Sequence, residues 1–276
     1  MKTLRLLNQN KLLVCLGLVA SLGNAAPVVF SASGANGAAI QSSVDAFRVA
    51  LGTLNANVAG SFGSGRREIN WDGVPNALAD PNGLPANFFN VNSPRGVILS
   101  GASSFLVSAN SGIAPVRFDT LNPTYSAIFQ TFSAQRLFTA IGTNVYDVSF
   151  FVPGSGVASF TSAFGAVFTG VSLSGSTSLQ FFDSNNNSLG TFLVPVASSG
   201  LSFLGVQFNG GEQVARVRFT QGNTALGPND GGGVDVVAVD DFIYAEPAAV
   251  PEPSSFIMIT LGVGLLAIKH RKFPQT

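Results

Sequence analysis

Val214-Ala215-Arg216-Val217-Arg218-Phe219-Thr220 sets the fold class of this chain. Side chains along an extended strand point alternately to opposite faces. Arg216 and Arg218 therefore share one face, and Ala215, Val217 and Phe219 share the other. A strand charged on one side and apolar on the other suits an antiparallel sheet with one wet face and one buried face. On either side of it, short apolar runs recur between clusters of Gly, Pro, Asn and Ser. They are Gly96–Leu99, Phe105–Ser108, Val116–Phe118, Arg136–Thr139, Tyr146–Val152 and Ser162–Leu173, followed by Ser178–Phe182, Leu189–Val194, Leu201–Phe208 and Val234–Tyr244. Strands at this spacing, without a long helical pattern, predict an all-β fold, and an antiparallel two-sheet sandwich of jelly-roll type is the preferred form. The alternative is a pair of smaller β units split near Pro153-Gly154-Ser155-Gly156.

One short N-terminal helix precedes the strands. Val44, Phe47, Leu51 and Leu54 fall at near-helical spacing, and Asp45 is placed to cap or lead it. The helix reads as a lid on the core, weakened by Gly52.

What the central region lacks narrows its chemistry. Cys15 is the only cysteine, His270 the only histidine, and every lysine (Lys2, Lys11, Lys269, Lys272) lies near one end. Between Ala26 and Val250 eight arginines face thirteen acidic residues, a formal charge of −5. A lysine-free, mildly acidic region carries no polybasic stripe for phosphates, so no nucleic-acid partner is expected. Without His there is no Ser-His-Asp relay, and without His or Cys no ordinary zinc site. Without Lys there is no Schiff base. Carboxylate chemistry and oxygen-ligated calcium survive this census. Only 10% of the chain is charged, against roughly 25% in ordinary domains, and Ser, Thr, Asn and Gly take up the surface instead.

Both ends read as addresses. Lys2, Arg5 and Lys11, the apolar stretch Leu12–Leu22 and the small residues Gly23, Ala25 and Ala26 form a cleavable signal peptide over 1–25. Its apolar core of about 11 residues is short for a permanent anchor, which needs roughly 20. At the other end stand Pro251-Glu252-Pro253, a single apolar transmembrane helix over 254–268, and the basic Lys269-His270-Arg271-Lys272. That helix has about 15 residues, fewer than an ordinary span of roughly 17–25, and the basic cluster marks its cytoplasmic end. These three parts in this order resemble the PEP-CTERM sorting signal of Gram-negative bacteria, with Pro251, Glu252, Pro253, Lys269, Arg271 and Lys272 as the matching residues. The resemblance covers 251–276 alone. It implies an exosortase as partner, transient residence in the membrane, and a final place at the cell surface or in the exopolysaccharide matrix. The region 26–250 is then the exported domain. A plain tail anchor is the competing reading.

Three segments are candidate sites. Gly65-Arg66-Arg67-Glu68-Ile69-Asn70-Trp71-Asp72-Gly73-Val74-Pro75 packs four charges and the sole tryptophan into eleven residues. In one reading Trp71 is a stacking platform for a sugar, with Arg67, Glu68, Asn70 and Asp72 as polar contacts. In the other, an Arg–carboxylate network pins a long loop and Trp71 is buried as its plug. Asp183-Ser184-Asn185-Asn186-Asn187 opens like a calcium loop but has Ser188 where glycine belongs, and it reads as a hairpin turn. Asp230, Asp235, Asp240 and Asp241 are the candidate ligands of a structural calcium. Asp240-Asp241-Phe242-Ile243-Tyr244 is similar to the closing strand of calcium-binding carbohydrate-recognition jelly rolls, and an inward Asp240 needs a partner.

The expected function is non-enzymatic: an exported, exosortase-sorted surface or matrix protein with weak carbohydrate binding. The alternative is a carboxylate-dependent glycoside hydrolase or lyase using Glu68 and Asp72, or Asp240 and Asp241. A membrane β-barrel is disfavoured, because the strands are short for spans of about 9–11 residues.

Overall fold

The alternation at Arg216 and Arg218 is realised in three dimensions. A computed structural model describes residues 25–109, 117–133 and 135–249. The expected tail (251–276) and all but the last residue of the expected signal peptide lie outside the described residues. The chain runs through β1 (Val28–Gly34), α1 (Gly37–Leu51), β2 (Arg66–Ile69), α2 (Phe88–Val91), β3 (Val97–Ser100) and β4 (Ser104–Val107). It continues through α3 (Tyr125–Ile128), β5 (Phe138–Ile141), β6 (Val145–Phe150), β7 (Ser159–Phe160), β8 (Ala163–Thr169) and β9 (Ser178–Phe182). The last strands are β10 (Ser188–Leu193), β11 (Leu201–Gln207), β12 (Arg216–Thr220), β13 (Ala238–Ala245) and β14 (Ala248–Ala249).

Two antiparallel sheets pack face to face. The first has the order β1-β11-β8-β13-β5-β4, with β2 also on β13, and the second has β10-β9-β12-β6-β3. Phe105, Phe138, Phe164, Phe168 and Phe242 of the first sheet meet Tyr146, Val148, Phe150, Leu179, Phe181, Val217 and Phe219 of the second in one core. Aromatic geometry orders it: Tyr146 stacks on Phe219 at 4.8 Å, and Phe164 meets Phe219 edge-on at 5.7 Å. Each sheet combines strands from both sides of residues 153–156, β13 pairing with β2 and β5 in the first and β12 with β6 in the second, so that turn does not separate two β units.

The sheets differ in how many faces they bury. β6, β9 and β12 of the second sheet alternate buried with half-buried residues, because one face meets solvent. β8 is buried at every position, and β11 and β13 at all but the last. A helix and an irregular segment cover the outer face of the first sheet. Ile40, Val44, Phe47 and Leu51 of α1 pack on Ala163, Val167, Leu201, Phe203 and Ile243. Beside them Phe118, Tyr125, Phe129 and Leu137 pack on Leu106, Val236 and Ala238. Gly165 and Gly205 pair across β8 and β11 beneath the Phe47 ring. A Cβ on Gly165 would lie 2.8 Å from Gly205 Cα and 2.9 Å from Phe47 Cε1, so bare backbone is what lets α1 sit this close.

Three local expectations change. The helix begins at Gly37, not near Asp45, which stands mid-helix, while Ile40 completes its buried face. Gly52 ends the helix with φ +88, leaving Leu54 outside it and 51% exposed. Arg117 and Phe118 form a turn with positive φ, not a strand. The Asp183–Asn187 segment is a hairpin turn: Asp183 Oδ1 accepts from the Asn185 and Asn187 amides at 2.8 Å each, and Asn186 takes φ +63.

Candidate functional site

A fault in one strand gathers the polar residues. On β13, Val239 pairs with Phe168 and Phe242 with Ala166, so Asp240 and Asp241 together oppose Val167 alone. This β-bulge turns two consecutive side chains toward the same neighbours. It falls where the other edge of β13 passes from β5, at Val239, to β2, from Phe242 onward. Trp71 fills the seam, its Nε1 donating to the Asp240 carbonyl at 2.5 Å.

Beside the bulge lies a cavity of about 280 Å³ walled by Arg48, Leu54, Asn57, Glu68, Asn70, Arg95, Ser133 and Asp241. α1 contributes Arg48 from its last turn, β2 contributes Glu68, and β13 contributes Asp241. Arg48 grips Glu68 bidentately, Nε to Oε1 at 3.0 Å and Nη2 to Oε2 at 2.9 Å, and the same Nη2 stands 3.5 Å from Asp241 Oδ2. Burial opposes the charge on Arg48, but Glu68, Asp241 and Asp45 outweigh it and hold the guanidinium above its ordinary value. Arg66 Nε donates to Glu68 Oε1 at 2.7 Å, so Glu68 serves two arginines. A more open depression of about 500 Å³, walled by Asp45, Arg48, Val49, Gly52, Thr53 and Arg66, meets the cavity at Arg48.

Behind Asp241 the dyad is closed. Asp240 is fully buried, accepting from the Phe132 amide at 2.6 Å and lying 3.1 Å from Ser133 Oγ. Burial, then the neighbouring Asp241 charge, pushes the Asp240 carboxyl well above the ordinary range. Asp241 is raised by burial too, although Ser133, Asp240 and Arg48 pull it back. Burial thus disfavours the charge on Asp240, while Arg48 favours it on Asp241.

The charged segment at 67–72 does not act as one patch. Along β2, Arg66 and Glu68 face outward while Arg67 and Ile69 face inward. Only Glu68 and Asn70 reach the cavity. Trp71 is 1% exposed, stacked on Phe138 at 4.2 Å and edge-on to Phe89 and Phe242. It is the plug of the second sequence reading, with no face for a sugar. Arg67 is fully buried and holds Glu246 bidentately at 2.8 and 2.9 Å, its other N–H groups donating to the Val58, Gly60 and Pro94 carbonyls. Asp72 accepts from the Arg136 amide at 3.2 Å.

The four aspartates expected to hold calcium do not converge. Asp235 accepts from the Ser172 amide and hydroxyl at 2.8 and 2.7 Å and from the Ser176 hydroxyl. Asp230 stands 3.4 Å from Ser172 Oγ. These two tie the 230–235 loop to the 172–176 turn, while Asp240 and Asp241 face Phe132, Ser133 and Arg48. Their oxygens already accept from protein donors, and no group of three or more His, Cys, Asp or Glu residues is arranged for a metal among the described residues. This set does not fit a calcium ion.

Arg48, Asn57, Arg95 and Ser133 are the polar cavity residues that sequence reasoning missed, since no motif links them to Glu68. Against known proteins, no family model matches the chain, and no curated protein or solved structure matches it either. Among the described residues no helix is long and apolar enough to cross a membrane.

Proposed function

We propose that this chain is an exported, non-enzymatic protein of the cell surface or exopolysaccharide matrix of a Gram-negative bacterium, with a weak carbohydrate-binding site. The observation that carries the proposal is the tail, Pro251-Glu252-Pro253 followed by an apolar run and Lys269-His270-Arg271-Lys272. An exosortase is the processing partner, the membrane a transient one and polysaccharide the ligand. The jelly-roll reading draws support from the repeated crossings of the chain between the two sheets after β3, with in-sheet neighbours at β4–β5 and β9–β10. A charge-poor surface and a cysteine-free core suit an exported β domain held by packing alone.

Binding is favoured over hydrolysis by the state of the cavity carboxylates. A glycosidase needs one carboxyl poised as acid and another free as base or nucleophile. Glu68 and Asp241 are both committed to Arg48, and Asp240 lies behind them out of reach. The hydrolase or lyase reading draws its support from Glu68 and Asp241 sharing one cavity, and turnover of a polysaccharide by the purified chain would establish it. The sorting proposal is tested in a host with and without its exosortase. The chain is expected to leave the cell shortened when the exosortase is present and to stay membrane-bound at full length when it is deleted. Identical location and mass in both hosts would refute it.

A further inference from the structure

Among the cavity residues Arg95 is the one whose charge is unanswered. Arg48 and Arg66 both pair with Glu68, and Arg48 reaches Asp241 as well. No carboxylate of the described residues pairs with Arg95. Its Nε donates to the Glu68 backbone carbonyl at 2.9 Å and its Nη1 to the Ser93 hydroxyl, and Nη2 donates to none of these residues. The guanidinium lies 5.2 Å from the Phe89 ring centre, which fixes its plane at the cavity wall. Burial pulls it below the ordinary arginine range, the Tyr244 phenol offsets that only in part, and no carboxylate does so. A half-buried cation without a counter-ion is costly, and a bound carboxylate would remove that cost with a charge-assisted pair.

We propose that the cavity binds an acidic saccharide, with the carboxylate of one uronate residue on Arg95 and the ring hydroxyls on Glu68, Asn70, Asp241 and Ser133. The carboxylates accept hydroxyl hydrogens, and Asn70 and Ser133 both donate and accept. At about 280 Å³ the cavity falls just below the usual range of ligand sites, roughly 300–1,000 Å³, and suits one ring. The open depression beyond Arg48 gives the rest of a chain a path, lined by Arg66. A neutral sugar would leave Arg95 as it is, so the discrimination comes from the ligand's charge. This inference rests on the carbohydrate-binding reading and narrows it to uronates.

The test is calorimetric titration of the full chain, in mild detergent, with oligogalacturonate, its methyl ester and a neutral gluco-oligosaccharide. The free acid is expected to bind at least tenfold more tightly than the other two. Arg95→Gln should erase that difference, whereas Arg216→Gln on the far sheet should leave it intact. Equal affinity for all three ligands would overturn the uronate inference and leave carbohydrate binding standing. Absence of binding to any of them would overturn both. Comparing acid with ester on the unaltered chain decides the matter even if Arg95→Gln fails to fold.

Discussion

Asp240 and Asp241, consecutive on β13, both lie within hydrogen-bond distance of Ser133 Oγ, at 3.1 and 2.7 Å. Neighbours on a regular strand would point to opposite faces, so the bulge creates this relationship. A carboxyl raised by burial keeps its proton in the folded chain where the unfolded chain has lost it. Its contribution to stability is therefore complete below about pH 3.9 and is lost as pH rises toward the folded value. Asp72 and Asp80 are raised by burial as well and add in the same direction. Asp240→Asn mimics the protonated acid. Thermal melts between about pH 4 and pH 8 should show the native chain losing stability as pH rises, and the variant losing less. A variant with an unchanged slope would assign the proton elsewhere.

Arg67 and Glu246 form a pair in which neither side chain is more than 1% exposed. Removing one partner strands the other charge in the core, so Arg67→Leu should cost about 3–5 kcal/mol in urea unfolding. Arg67→Leu combined with Glu246→Gln should recover part of that loss, because no charge is then left buried.

Trp71 belongs to folding and not to binding. As the only tryptophan it reports on itself: its emission should be blue-shifted, resistant to acrylamide and unaffected by saccharide. Trp71→Ala should cost about 3–5 kcal/mol. Quenching by a bound sugar would reinstate the stacking role.

Tyr146 carries a buried hydroxyl that finds no partner among the described residues. An unsatisfied buried group costs roughly 1–3 kcal/mol. Tyr146→Phe keeps the ring on Phe219 and should leave the melting temperature equal or higher. A clear fall would point to a bound water at that hydroxyl.

How much the sequence disclosed follows from how many faces each element buries. β12 was legible residue by residue because one face of its sheet is wet. β8, β11 and β13 were legible only as apolar runs, since α1 and the 117–137 segment hide their second face. β2 read as a charged loop, because Arg67 points inward to a glutamate near the far end of the domain. The start of α1 makes no side-chain cap bond, and its N-cap residue Asn36 stands among Gly and Ala residues that read as loop. Glu68 and Asn70 were found through local charge density. Arg48 and Arg95 were not, because their meeting depends on helix packing and on a strand bulge that leaves no mark in residue order.

The claim on which this account depends is that residues 251–276 are a removable address. Mass spectrometry of the protein collected outside its cells tests it directly. The secreted chain is expected to begin at Ala26 and to yield no peptide from 254–276, and recovery of peptides running through Thr276 would overturn the assignment.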